Sequence, residues 1–126
     1  MTPQAEAIAN QVADAIASRD VGKVDKLYHP DVVVWHAATG QVVSRPDALA
    51  MSAAVFAATS ELGYRNVRRH PIENGFIQQH QLVGRLANGT QIPAVEICMV
   101  IRFRDDKIIS IEEYFDLGKL SAAFAF

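Results

Sequence analysis

The stretch from Ile92 to Phe115 constrains the fold most strongly, because it predicts two long β-strands joined by a tight turn at Arg104 to Lys107. Both halves are rich in Val, Ile and Phe, the residues that favour a half-buried pleated surface. Successive side chains of a strand point to opposite faces, and one face of this pair is apolar except for a single carboxylate. That face carries Val95, Ile97, Met99, Ile101, Phe103, Ile109, Ile111, Glu113 and Phe115.

Glu113 is the residue on this face that needs an explanation. A carboxylate among apolar neighbours costs free energy unless it is paired or used. It is either a structural carboxylate, for example one paired with Arg85, or part of a functional site.

The rest of the chain predicts helices followed by strands. Thr2, Asp20 and Ser44 are good helix N-caps, and the pair Asn74-Gly75 favours a hairpin turn. Such an order predicts an α+β fold with helices on one side of a mostly antiparallel sheet. The predicted elements are a helix from Thr2 to Arg19, a short helix from Asp20 to Tyr28, a strand from Val32 to His36, a helix from Ser44 to Gly63, and strands from Tyr64 to Glu73 and from Phe76 to Leu86.

Composition excludes several classes of partner. The 126 residues suffice for one domain, residues 1–126. A formal net charge of -2 gives no electrostatic reason to expect nucleic acid. Cys98 is the single cysteine, so we expect no intrachain disulfide, and four scattered histidines argue against a metal site. No apolar run is long enough for a membrane span, and the N-terminus lacks a secretory pattern, so we expect a cytoplasmic protein without membrane partners.

The face that the Phe76–Leu86 strand turns inward is not fixed by its residues. One register places Gln79 and Gln81 beside Glu113, and the other places His80 there. A slip of one residue exchanges the two faces of a strand. Either choice buries polar groups that need partners.

The chain resembles the nuclear-transport-factor-2-like superfamily, also described as SnoaL-like or cystatin-like. The resemblance lies in the helix pair ending at Tyr28-His29-Pro30-Asp31, the short Val-rich strand, the next helix and the four strands with an Asp-x-Lys-Ile turn. It implies a cone-shaped, curved, mixed but mostly antiparallel sheet around N-terminal helices, a deep cavity, and a homodimer through the outer sheet face. Members include ketosteroid isomerases, limonene epoxide hydrolases, polyketide cyclases, dehydratases and non-catalytic binding domains.

Two local comparisons carry residues over. The segment Glu112 to Leu117 resembles the R-D-Y-F-D-L segment of limonene epoxide hydrolases and places Glu113 on a water-activating aspartate. Gln79 and Gln81 then replace an arginine and a second aspartate of those enzymes, which implies that both glutamines face the cavity and His80 faces outward. His36 falls on the catalytic aspartate of ketosteroid isomerases.

The sequence therefore predicts a cavity for a small apolar organic ligand, with no metal and no cofactor. Glu113 and His36 are the candidate catalytic pair. The remaining candidates are ligand-binding residues: Gln79, Gln81, Met99, Phe115, Tyr28 and Trp35. The expected chemistry is of the isomerase, cyclase, dehydratase or hydrolase type. The alternative is a non-catalytic binding or dimerisation module. Steroid isomerisation by the family's route is not expected, because Val12 and Met99 occupy about the positions of its oxyanion hole.

Overall fold

A computed structural model describes residues 1–124 and contains four helices and six strands in that range. The helices are α1 (Pro3–Ser18), α2 (Val21–Leu27), α3 (Arg45–Ala58) and α4 (Leu117–Phe124). The strands are β1 (Tyr28–His36), β2 (Gln41–Ser44), β3 (Thr59–Ile72), β4 (Gly75–Leu86), β5 (Gln91–Arg104) and β6 (Lys107–Phe115).

The two N-terminal helices begin at the predicted caps. The Thr2 hydroxyl accepts a hydrogen bond from the Ala5 backbone N–H, and Asp20 accepts from two N–H groups at the start of α2. These bonds satisfy donors that have no partner within a helix. Arg19 ends α1 in the left-handed conformation, with φ at 50°. The chain can therefore reverse between α1 and α2 within two residues.

The third helix ends earlier than predicted, at Ala58 rather than Gly63. Thr59 is almost fully buried and begins β3 opposite Leu86. Arg19 of α1 donates to the carbonyl oxygens of Phe56 at 3.3 Å and Thr59 at 2.6 Å. A tertiary contact thus satisfies carbonyl groups at this helix end, which local sequence does not reveal.

The sheet has the strand order β2-β1-β6-β5-β4-β3. β1 runs parallel to β6, and every other neighbouring pair is antiparallel. The sheet curls without closing, with the N-terminal helices on its concave side. The α+β prediction is confirmed. The sequence missed β2, whose four residues are too few for a periodic signal, and started β1 four residues late.

The hairpin of β5 and β6 turns where it was predicted. Asp105 and Asp106 both have positive φ, 53° and 63°, as a type I′ hairpin turn requires. The prediction that Ile109 lies on the apolar face is wrong. A bulge leaves it without a partner on β5, so Ile108 rather than Ile109 is buried in the core. The extra residue exchanges the faces at that point.

Two clusters of buried apolar side chains fill the space between the helices and the sheet. The first lies under the start of α1 and contains Ala5, Ile8, Ala9, Val32, Val34, Ala48, Phe76, Met99, Ile101, Ile108 and Ile111. The second lies under the end of α1 and α3 and contains Ala15, Val24, Phe56, Leu62, Leu82, Ile92 and Val95. None of the helices in residues 1–124 is long and apolar enough to cross a bilayer, and the cytoplasmic location stays a prediction.

Candidate functional site

A cavity of about 370 Å³ lies between the concave face of the sheet and the helices. Most of its lining is apolar. Helices α1, α3 and α4 contribute Ile16, Ala48, Met51, Ser52, Val55, Phe56, Leu117 and Leu120. The strands and the loop after β1 contribute Tyr28, Val34, His36, Thr39, Gln41, Leu62, Tyr64, Leu82, Ile97, Met99, Glu113 and Phe115.

Glu113 and His36 lie side by side in this wall because β1 and β6 are parallel neighbours. His36 is the register partner of Glu113, and the Ala37 N–H donates to the Glu113 carbonyl oxygen at 2.9 Å. The His36 Nε2 atom is 3.9 Å from Glu113 Oε2, which is too far for a direct hydrogen bond. Both groups therefore face the cavity without neutralising each other.

Burial in this apolar wall shifts both groups toward their neutral forms. Desolvation raises the pKa of Glu113 from 4.5 to about 7. The 26% of its side chain that stays exposed borders the cavity. Desolvation lowers the pKa of His36 below 6.5. A carboxyl group that titrates near neutral pH suits general acid–base chemistry.

Two tyrosines share this environment. Burial, and next the charge of Glu113, raise the pKa values of Tyr28 and Tyr64 above the ordinary 10.0. Both phenols stay protonated at physiological pH and can donate hydrogen bonds. Of the predicted ligand-binding residues, Tyr28, Met99 and Phe115 line the cavity, while their binding role stays a prediction.

Gln79 and Gln81 do not face the cavity, which corrects their predicted placement. Gln79 Oε1 lies 3.2 Å from His70 Nε2, and Gln81 bonds to Glu96, Arg65 and Asn66. These are partly or fully exposed side chains of the outer sheet face. The buried side chains of β4 are instead those of Phe76, Gln78, His80 and Leu82.

An irregularity in β5 causes this exchange. Gly84 pairs with Ile92, but Leu82 pairs with Val95, so β5 holds one extra residue between these pairs. An unbroken register would have placed Gln79 opposite Ile97, inside the cone. Pro93 lies in the irregular stretch, and proline within a sheet is confined to edges and bulges. Pro93 was therefore the sequence signal that could have predicted the correct face.

The predicted placement of Trp35 in the cavity is also wrong, because Trp35 lies on the outer face of β1. It alternates with the buried Val34 and His36, and its ring meets that of Tyr114 edge to face, with centroids 5.6 Å apart. It does not line the cavity. The Val-rich run before Trp35 predicted a strand, but it did not show on which face of the sheet the Trp35 ring lies.

His80 is a buried residue that the resemblance placed on the outer face, whereas the residues themselves had left its inward register open. It is fully buried and stacks on Tyr64 with ring centroids 3.7 Å apart. Its Nδ1 lies 3.0 Å from Gln78 Nε2, and Gln78 Oε1 accepts from Arg69 Nε at 3.0 Å. Arg69 is in turn bonded to Glu6 and Asn10 of α1.

This network assigns the tautomer of His80. The Gln78 oxygen accepts from Arg69, so the Gln78 amide donates to Nδ1 and the ring proton sits on Nε2. Nε2 has no hydrogen-bond partner within residues 1–124. Burial lowers the pKa of His80 to about 4, so the ring is neutral at physiological pH. His80 holds one face of the Tyr64 ring, and Tyr64 forms part of the cavity wall.

Metal-binding geometry is absent from the described part of the chain. No group of three His, Cys, Asp or Glu side chains within it could hold a metal ion. Of the described residues that line the cavity, Glu113 and His36 alone are of these types. The arrangement offers proton transfer and hydrogen bonding in an apolar space.

Comparison with known proteins shows which solved structures share this fold. No curated protein matches the sequence. A Bacillus subtilis protein provisionally named an isomerase superposes with a TM-score of 0.81 at 13% identity, covering 97% of this chain and 93% of that one. A Shewanella putrefaciens protein provisionally named a SnoaL-like polyketide cyclase has a TM-score of 0.80 at 11% identity, covering 99% and 98%.

A third similar structure, an LEH-like epoxide hydrolase from M. tuberculosis, has a TM-score of 0.74 at 13% identity, covering 98% of this chain and 91% of the other. Identities this low establish the shared fold alone. Sequence establishes the family: residues 9–111 match the SnoaL-like domain. The chain therefore belongs to the SnoaL-like domain family.

Proposed function

We propose that this protein binds a small, mainly apolar organic molecule in the cavity and catalyses proton transfer on it without a cofactor. The observation that carries the proposal is the placement of Glu113 and His36, 3.9 Å apart, in the wall of an otherwise apolar cavity of about 370 Å³. A mainly apolar pocket with a few convergent polar groups is the usual form of a small-molecule site.

Glu113 is the proposed proton-transfer group. Its pKa of about 7 gives comparable amounts of acid and base near neutral pH. The carboxylate would remove a proton from a carbon next to a carbonyl group, leaving an enolate, and the resulting acid would return the proton to another carbon. Return of the proton to another carbon of a conjugated enolate isomerises the substrate. Cyclisation instead needs the enolate carbon to attack a second carbonyl group of the same molecule, and the Glu113 acid then protonates the new alkoxide. Neither route involves net oxidation.

His36, Tyr28 and Tyr64 are the proposed supporting groups. The neutral imidazole of His36 borders Glu113 and can exchange a hydrogen bond with a substrate that reaches both. The two phenols stay protonated and lie within electrostatic reach of Glu113. Such donors can stabilise the negative oxygen of an enolate in an apolar site.

Epoxide hydrolysis of the limonene type has less support than isomerase or cyclase chemistry. That reaction, in the related enzymes, implies an arginine and a second carboxylate beside the first. Neither residue type joins Glu113 among the described residues that line the cavity. Gln79 and Gln81, which replace these groups in the sequence comparison, point away from the cavity.

Hydrogen–deuterium exchange tests this chemistry before the substrate is known. A panel of cyclic ketones and enones is incubated with the protein in D₂O, and deuterium at the carbon next to the carbonyl is followed by NMR. We expect Glu113→Gln to slow the catalysed exchange by about 10²- to 10⁴-fold, the usual contribution of a general base. Glu112→Gln is the matched control, because Glu112 bonds to Arg102 on the outer face.

The alternative function is a binding module without catalysis, favoured by the absence of the second carboxylate and the arginine. Binding is measured from the ¹³C-methyl signals of Met51 and Met99, which line the cavity. Ligands that shift these signals while no panel member exchanges would support the binding module. Catalysed exchange that survives Glu113→Gln undiminished would refute the proposed role of Glu113.

We also propose that the protein forms a homodimer through the outer sheet face. An apolar patch there joins Trp35 and Tyr114 with Val33 and Val42, and Val42 is 65% exposed. Exposed apolar patches mark interaction sites. Light scattering should give twice the chain mass for the wild type and the monomer mass for Val42→Glu. A monomer in the wild type at micromolar concentrations would refute the dimer.

A further inference from the structure

Among the described residues, the cavity wall carries one carboxylate, Glu113, and no Lys or Arg; its imidazole, His36, is shifted toward the neutral form by burial. The chain has 12 Lys and Arg residues, yet none is among the described residues that line the cavity. The Glu113 side chain accepts no hydrogen bond from any residue in 1–124 that would compensate its charge, since His36 Nε2 stands 3.9 Å away. An ionised Glu113 therefore requires a partner from outside the protein.

Aromatic rings surround the same part of the cavity. Tyr28, Tyr64, Phe56 and Phe115 all line it, and the charge of Glu113 reaches both tyrosines. His80 covers one face of Tyr64, so the ring borders the cavity with its other face or its edge. The face of an aromatic ring attracts cations, most strongly in a desolvated site.

We propose that the cavity ligand carries a cationic centre, an alkylated ammonium group on an apolar body, placed between Glu113 and the rings of Tyr28 and Tyr64. Such a group satisfies the carboxylate and the rings together. Its alkyl groups also make it cheaper to desolvate than a bare ammonium ion. Ligands bearing a carboxylate or phosphate next to Glu113 are disfavoured, because no Lys or Arg stands among the described residues that line the cavity.

This inference rests on the binding half of the proposed function, the cavity as a small-molecule site, and not on proton transfer, because a carboxylate paired with a cation is not free to act as a base. It also predicts how binding depends on pH. The titratable groups that face Glu113 are Tyr28, His36 and Tyr64, all from strands, and the lining residues of α1, α3 and α4 contribute none. As the pH rises through about 7, Glu113 becomes negative, while Tyr28 and Tyr64 stay neutral. Affinity for a permanent cation should therefore rise over that range.

The test compares three probes of similar shape: benzyltrimethylammonium, its neutral isostere neopentylbenzene, and the anion phenylacetate. Binding is measured by titrating each probe and following the ¹³C-methyl signals of Met51 and Met99, with the exposed Met1 as an internal reference. We expect the cation to bind more tightly than the isostere at pH 8.5, and phenylacetate not to bind. The apparent Kd of the cation should fall roughly thirtyfold from pH 5.5 to 8.5, as Glu113 ionises.

Variants separate the cationic site from the cavity itself. Glu113→Gln should remove both the preference for the cation and its pH dependence, while neopentylbenzene binds as before and so reports an intact cavity. Glu112→Gln removes an equal charge on the outer face and should change neither. Binding of the isostere as tightly as the cation at pH 8.5, or a cation affinity that survives Glu113→Gln, would overturn the cationic ligand and leave the cavity function standing. Failure of both probes to shift Met51 and Met99 would overturn the two proposals together.

Discussion

Replacing Glu113 with glutamine should make the protein more stable at alkaline pH, although it removes a proposed catalytic group. An acid whose pKa is raised in the folded state resists ionisation there. The stability linked to Glu113 is therefore present in full below its unfolded pKa of 4.5 and is lost as the pH rises to about 7. Glutamine has nearly the same shape and carries no charge at any pH, so the variant does not lose this stability.

The magnitude follows from the pKa difference. A folded-state pKa of about 7 lies roughly 2.5 above 4.5, and each pKa unit corresponds to about 1.4 kcal/mol. The variant should exceed the wild type by about 3 kcal/mol in unfolding free energy at pH 8, and by about 1 kcal/mol at pH 5. For a chain of 126 residues, 3 kcal/mol corresponds to roughly 10 °C in Tm.

Urea unfolding at pH 5 and pH 8, followed by circular dichroism, measures this difference. The wild type and Glu113→Gln both contain His36 and His80. The contributions of these histidines to the pH dependence of stability therefore largely cancel when the two proteins are compared at one pH. Glu112→Gln is the control, because it loses only a surface ion pair with Arg102 and should change stability by less than about 1 kcal/mol at both pH values. If the gain in unfolding free energy from Glu113→Gln does not increase between pH 5 and pH 8, Glu113 is not a buried carboxyl group that titrates near 7.

Three further predictions test the fold and the buried network. Gly75→Ala should destabilise the protein by about 2 kcal/mol or more, because its Cβ would lie 2.0 Å from a backbone oxygen of β5, whereas Gly63→Ala meets nothing within 4 Å; urea unfolding compares them. Asp20→Ala should cost about 1 kcal/mol by losing a helix cap, and Ser44→Ala less, since Ser44 makes no side-chain capping bond. ¹⁵N NMR should find the His80 ring neutral at pH 6 with its proton on Nε2, and a charged ring at that pH would contradict its burial.

Local sequence was sufficient to predict the fold class and most of the elements. Thr2 and Asp20 begin helices where their side chains can cap them, and the apolar alternation after Ile92 fixed the central hairpin. It also singled out Glu113, because one carboxylate interrupts an otherwise apolar face. His36 was reached through resemblance, and the parallel pairing of β1 with β6 brings it next to Glu113.

Which side chains meet depends on the tertiary structure. Side-chain direction reverses with each residue of a strand, so one extra residue near Pro93 moves Gln79 and Gln81 outward and His80 inward. The bulge lies between the consecutive strands β4 and β5, and Pro93 was its one local signal; which side chains it brings together depends on the strands and helices that the two faces meet. The face taken by Trp35 and the end of α3 at Ala58 likewise depend on contacts across the sheet and with Arg19. The residue pattern was enough to place a lone carboxylate on an apolar face, whereas the pairing of β6 with β1, far apart in the chain, determined its neighbours.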